Sequence, residues 1–146
     1  MIKPWVLDTG PLGRLTHPSP NAGIVGWLEG QLALGVPVMI PEIADYELRR
    51  NLLLEGLTRS VARLDKLKTV LPYIPLTTDI MLHAAELWAN ARQRGHVTAD
   101  RQALDGDVIL AAQAAAVGGR VATENIGHLA RLVEAHDWRI VEAEGE

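Results

Sequence analysis

A chain of 146 residues suits one domain with a single sizeable core, here taken over residues 1–146. With 48 % hydrophobic and 22 % charged residues it has the composition of a soluble globular protein, and no apolar run is long enough to span a bilayer. The absence of cysteine excludes disulfides, thiolate nucleophiles and zinc–cysteine sites, so any metal must sit on oxygen or histidine ligands.

The formal net charge of −4 argues against a general nucleic-acid coat, which draws on dense Lys and Arg. It leaves room for an enzyme that meets one stretch of backbone through a metal. Phenylalanine is absent and aromatics are few, which disfavours an exposed base-stacking platform. The N-terminal run reaches Asp8 too soon for a signal peptide, so the expected location is cytoplasmic, with no membrane contact.

In chain order, Trp5-Val6-Leu7 is the first expected strand, with a short helix starting near Pro11. Asn21 caps a helix through Leu34, stopped by Gly35. Val36 to Ile40 reads as a second strand, and Pro41 suits the first turn of a helix running to about Glu55 and ending at Gly56. A further helix spans Arg59 to Val70. Tyr73 to Leu76 is a weak strand whose prolines place it at an edge. Thr78 caps a long helix to Arg94, ended by Gly95. His96 to Arg101 is polar and reads as a loop. The next helix opens at Asp107 and runs through Val117 to Gly118-Gly119. Arg120 to Thr123 is a fourth strand, followed by a short helix over Ile126 to Ala135 and a last strand at Arg139-Ile140-Val141. Short apolar strands alternating with helices predict a parallel sheet covered on both faces, with ligands at the carboxyl ends of the strands.

Several acids occupy notable places in this pattern. Asp8 directly follows the first strand, where it serves either as turn chemistry and helix cap or as a functional carboxylate. Glu47 has Ile43, Ala44, Arg50 and Asn51 as helix neighbours, a partly apolar stripe that Ile40 and Leu54 extend and at whose edge it could be a surface Glu, whereas Glu42, Asp45 and Arg49 fall on other faces and look solvated. A carboxylate interrupting such a stripe needs a cation, either a metal or an arginine such as Arg50 or Arg14. Asp105 and Asp107 stand two residues apart at a helix start. Within a helix they would point to nearly opposite faces, so one reads as a cap outside the helix and the other as a ligand. Asn125 follows strand four as a cap or turn residue, with His128 one turn on. Clustered carboxylates hold protons unless a divalent cation binds, and oxygen ligands without cysteine suit Mg²⁺ or Mn²⁺.

Four segments together resemble a known family. They are Val6-Leu7-Asp8-Thr9-Gly10-Pro11-Leu12, the run from Ile40 to Arg49, the run from Leu104 to Ala114, and Val121 to Leu129. In order and spacing the chain resembles PIN domains, especially the VapC-like toxins of type II toxin–antitoxin pairs. The resemblance implies a three-layer α/β/α fold with a five-stranded parallel sheet. It also implies Mg²⁺- or Mn²⁺-dependent endoribonuclease activity, in which a metal-activated water cleaves RNA.

By the same likeness, Asp8, Glu47 and Asp107 are the catalytic and metal-binding acids, the family pattern selecting Asp107 over Asp105. Thr9, Thr123 and Asn125 are supporting hydrogen-bond residues. Where many members carry a fourth acid, this chain has His128. Either Asn125 supplies an oxygen instead, or Asp105 compensates as a metal ligand, or a second metal binds weakly. Arg14, Arg49, Arg50 and Arg101 are candidates for guiding phosphates. The expected partners are an RNA substrate, a cognate antitoxin and a second copy in a homodimer, with apolar surface on the helices over Asn21–Leu34 or Thr58–Val70 available for protein contacts.

Other parallel-sheet families fit less well. A haloacid-dehalogenase-like phosphatase wants a second Asp where Gly10 stands, and a receiver domain wants an acid pair at Leu7-Asp8 and an Asp after the third strand. Walker and dinucleotide glycine fingerprints are absent. The alternative of a different class is a catalytically weak or inactive PIN-like binding module that lacks the fourth acid.

Overall fold

The computed structural model describes residues 2–95 and 101–141, with the side chains of 101–103 outside the description. Strand β1 (Trp5–Leu7) is fully buried and leads through Asp8 into α1 (Thr9–Thr16). Helix α2 (Ala22–Ala33) starts at Asn21, whose side chain accepts from Ile24 N, as the sequence predicts. Strand β2 (Val38–Pro41), α3 (Glu42–Leu54), α4 (Thr58–Val70) and β3 (Tyr73–Ile74) follow. Helices α5 (Thr78–Gln93) and α6 (Arg101–Ala116), β4 (Arg120–Thr123) and β5 (Ala135–Asp137) complete the chain.

The five strands are all parallel and lie in the order β3-β2-β1-β4-β5. The chain builds outward from β1 through β2 to β3, then returns to β4 on the other side. The reversal falls between β1 and β4, the usual ligand crevice of such a sheet. Successive strand residues point to opposite faces. Trp5 and Leu7 therefore join one core with residues of α1, α2, α3 and α4, while Val6 joins another with α5 and α6. This is the three-layer architecture expected from the alternation of strands and helices. No helix among the described residues is long and apolar enough to cross a membrane.

Several boundaries differ from expectation for local reasons. Pro41 belongs to β2, paired with Ile74, and precedes α3 as an extended residue rather than sitting in its first turn. Thr77, not Thr78, caps α5 by accepting from Ile80 N. The expected helix over Ile126 to Ala135 shrinks to a 3-10 turn at Gly127–Arg131. The last strand is Ala135–Asp137, not Arg139 to Val141. Asp137 accepts from Arg139 N and turns the chain into a second 3-10 segment, Trp138–Ile140. That turn buries Trp138 beside Trp27, which in turn packs edge-on against Trp5. Residues 96–100 of the expected loop lie outside the described residues, and Arg101 already belongs to α6.

Asp45 is a larger correction. It is 5 % exposed rather than solvated. Its carboxylate accepts from Arg49 Nε at 3.0 Å and from the Tyr73 hydroxyl at 2.7 Å, and pairs with Lys68 Nζ at 2.8 Å. One buried charge thus ties α3 to α4 and β3. Burial pushes the Asp45 carboxyl up, but the bonds from Lys68 and Tyr73 and the charges of Arg49 and Lys68 outweigh it and hold the group below its ordinary 3.8. A depressed carboxylate contributes stability that is present above the unfolded value and lost as pH falls through the folded one. Arg49 and Lys68 are partly exposed, so screening reduces the gain. Asp45→Asn is expected to destabilise the protein by about 1–2 kcal/mol at pH 7 in urea unfolding. The difference from wild type should shrink as the pH is taken below 4.

Candidate active site

Asp8 leaves β1 at the sheet's reversal point, and its backbone N–H donates to Ala122 O on β4 at 3.0 Å. The side chain caps α1 as turn chemistry predicts: Oδ1 accepts from Thr9 N at 2.7 Å. Its other oxygen, Oδ2, accepts from the Thr123 hydroxyl at 2.7 Å. Thr123, at the end of β4, is wholly buried, and its hydroxyl also accepts from Asn125 N. Two strand ends therefore fix one carboxylate.

Glu47 reaches the same place from α3. Its Oε1 accepts from the Thr9 hydroxyl at 2.9 Å, so Thr9 serves Asp8 with its backbone and Glu47 with its side chain. Asp107 comes from α6 on the opposite layer. Burial, then the charges of Asp8 and Glu47, push the Asp107 carboxyl up to about 6. Burial also raises Glu47, aided by the charge of Asp8 against the opposing effects of the Thr9 bond and Arg50. These shifts place Asp8, Glu47 and Asp107 in one electrostatic neighbourhood.

Asp105 does not join them. Helix α6 begins at Arg101, so both acids lie inside it, roughly 200° apart around its axis. Asp105 is exposed and lines an apolar hollow of about 400 Å³ beside Met81, Trp88 and Ile109. The expectation that one of the pair lies outside the helix as a cap is thereby corrected. So is the thought that Asp105 compensates for a missing fourth acid.

Asn125 and His128 are exposed, and the His128 Nδ1 lies 3.3 Å from Arg131 Nη1. Arg14 pairs with Glu124 rather than Glu47, and Glu124 also accepts from Trp138 Nε1 at 2.9 Å. Burial raises the Glu124 carboxyl, but these bonds outweigh it and hold the group low. Arg50 lies over the Tyr46 ring at 5.1 Å, and Arg49 serves Asp45 and Asp65.

One residue near the acids carries no charge and was passed over in the sequence. A Cβ on Gly106 would stand 2.5 Å from Glu47 Oε2. Glycine there lets α6 bring Asp107 past the Glu47 carboxylate. The sequence offers only a glycine between two acids at an expected helix start; that it lies inside the helix is visible once α6 is seen to begin at Arg101.

Among the described residues, no three His, Asp or Glu side chains gather tightly enough to form a ready-made metal cage. The donor set nevertheless fits a hard divalent cation. It consists of carboxylate oxygens from three elements, two of them oriented by threonine hydroxyls, with protonation favoured until a cation relieves the repulsion.

A PIN domain family model matches residues 5–134. No curated protein matches. Among solved structures, VapBC2 from Rickettsia felis, bound to a DNA fragment from its promoter, contains a chain similar at TM-score 0.76 and 21 % identity. The match covers 94 % of this chain and 99 % of that one. VapBC from Salmonella typhimurium, bound to DNA, matches at TM-score 0.75 and 20 % identity with the same coverage. FitAcB from Neisseria gonorrhoeae matches at 0.71 and 22 %, again over 94 % and 99 %. At these identities the likeness is one of fold.

The raised Asp107 carboxyl has a thermodynamic sign. Its folded value of about 6 exceeds the ordinary 3.8, so its contribution to stability is complete below 3.8 and is lost as pH rises through 6. In EDTA, Asp107→Asn should melt about 2–4 °C above wild type at pH 7.5, equivalent to ~1 kcal/mol in a domain of this size. The gap should close by pH 4 in calorimetry.

Proposed function

This chain belongs to the PIN domain family, and from that premise we propose that it is an endoribonuclease dependent on Mg²⁺ or Mn²⁺, acting as the toxin of a toxin–antitoxin pair. The observation that carries the reading is that Thr9 bonds both Asp8 and Glu47, while Gly106 of α6, next to Asp107, lies against the Glu47 carboxylate; the raised Glu47 and Asp107 carboxyls agree with that proximity. Such a cluster is poor at neutral pH on its own and good for a cation. Asp8, Asp107 and Glu47 would hold the ion. When bound, it would supply an acidified water and offset charge on the scissile phosphate.

The chain's own residues have distinct tasks in this reading. Thr123 and Thr9 N–H hold the Asp8 carboxylate by its two oxygens, leaving its remaining lone pairs for a ligand. The Thr9 hydroxyl aims Glu47, which would hold the ion or orient a water beside it. Arg50, within electrostatic reach of Glu47 and exposed, is placed to meet a phosphate. Asn125 and His128 are exposed, and the position of the family's fourth acid falls on His128.

The relatives of like fold come from complexes described as VapBC and FitAcB, which supports an antitoxin partner here. Apolar side chains that the fold leaves in water support it too: Leu54 is 84 % exposed and Val70 67 %. A homodimer is the companion expectation. Co-purification with the product of the neighbouring gene, together with sedimentation of the free protein, tests both.

The direct test is cleavage of single-stranded RNA by purified protein. Activity should require Mg²⁺ or Mn²⁺ and vanish in EDTA. Asp8→Asn and Asp107→Asn should each lower it by roughly 100-fold or more, and Thr123→Val by about 10–100-fold. If both Asn variants cleave as well as wild type, this site is not the enzyme's. RNA or protein binding without cleavage under any metal would favour the binding-module reading. Gly106→Ala is a subtler probe. The added methyl displaces Glu47 and should lower cleavage about tenfold, while alanine's helix preference keeps thermal stability equal or higher by up to ~1 kcal/mol.

A further inference from the structure

We propose that Gln113 is a positioning residue that sets Glu47 of α3 against Asp107 of α6. The inference rests on the ribonuclease reading for its consequence, but its geometry stands apart from the acids. Gln113 is 0 % exposed, and both ends of its amide are used. Its Oε1 accepts from Ile43 N at 3.1 Å, and its Nε2 donates to Ile74 O at 2.6 Å. The bonds run to positions 70 and 39 residues away along the chain. A long polar side chain is buried this completely only when each polar group finds a partner.

The bond to Ile43 answers a specific deficit. Helix α3 is preceded by Pro41, which supplies no side-chain cap, and its first N–H groups have no partner within the helix. Gln113 provides that missing acceptor from another helix. Its second bond takes the carbonyl at the end of β3, a residue paired with Pro41 in the sheet. One amide thus fixes where α3 begins relative to the sheet.

The consequence reaches the acids through helix geometry. Ile43 and Glu47 are four residues apart on one face of α3, and Gln113 and Gly106 lie seven apart, on one face of α6. The two helices therefore touch at two points along the same faces. Gln113 meets Ile43 at one point, and Gly106 passes Glu47 at the other. Asp107 directly follows Gly106. If the first contact slips, the second changes register, and Asp107 moves relative to Glu47.

Mn²⁺ binding to the RNA-free protein, by calorimetric titration at pH 7.5, tests this against general loss of stability. Gln113→Met keeps the volume but removes both bonds. Leu64→Val, on α4 in the core cluster that contains neither Ile43 nor any residue of α6, controls for destabilisation. Gln113→Glu restores the length. Buried among apolar groups, its carboxyl holds a proton and presents one acceptor and one donor. Gln113→Met is expected to weaken Mn²⁺ binding about tenfold, Leu64→Val to leave it within twofold, and Gln113→Glu to recover most of the loss. Equal affinities for Gln113→Met and wild type overturn the positioning role. So does an equal weakening in Leu64→Val at matched loss of melting temperature. Should Gln113→Met not fold, Gln113→Asn takes its place, since it keeps an amide too short to reach both Ile43 N and Ile74 O; a tenfold weakening in the folded variant supports the role and wild-type affinity overturns it. Wild type that binds no Mn²⁺ overturns the metal-dependent function itself, a result distinct from either.

Discussion

Like charges brought together at the end of a parallel sheet must be held there by something, because left to themselves they separate or take up protons. Asp8, Glu47 and Asp107 come from a strand end and from helices on opposite layers, and each is restrained by uncharged neighbours. Thr9 and Thr123 grip the first two with hydroxyl and amide donors. Gly106 yields the space that the third requires. None of these restraints neutralises the cluster. The fold thus spends part of its stability to keep an electrostatic deficit of the kind a bound divalent cation would relieve.

Helix α3 displays the contrast between compensated and uncompensated charge over a single turn. Asp45 is buried, yet Arg49, Lys68 and Tyr73 surround it, and its carboxyl is held low. Glu47, two residues on and facing α6, is raised. The first carboxylate joins helices to the sheet and has no oxygen to spare for a ligand. The second has one hydroxyl partner and an arginine nearby. Burial is common to both groups, and the partners decide which is structural and which is available for chemistry.

The legible part of this design is what depends on neighbours in the chain. Asp8 announces itself because a strand, an acid and Thr-Gly follow in immediate order, and Glu47 because it interrupts a partly apolar stripe. The sheet follows from strand and helix alternation. Asp105 and Asp107 were separable by helix phase, but the start of α6 at Arg101 was not visible, since Asp105 and Asp107 looked like a first turn. What escaped the sequence lies in contacts between distant segments. Asp45 looked solvated because Lys68 and Tyr73 belong to other elements. Gln113 sat in an alanine-rich run and gave no sign that it completes a helix 70 residues earlier. Gly106 stands before the expected start of the helix at Asp107, where nothing in the sequence shows that it makes room for a side chain of α3. The 3-10 turn at Trp138 follows from burying an indole, which reading Arg139-Ile140-Val141 as a strand concealed.

The outer strands carry a further consequence. On one side the sheet ends with β3, two residues long, between Pro72 and Pro75. On the other, β5 is three residues long and turns away at Asp137. Neither margin offers the long ladder of free amides and carbonyls on which another chain can add a strand. Growth of the sheet from copy to copy is thereby discouraged, and the apolar side chains left in water lie on the helical flanks, at Leu53 and Leu54. A protein built this way can meet other chains side-on through its helices while remaining closed to edge-to-edge polymerisation.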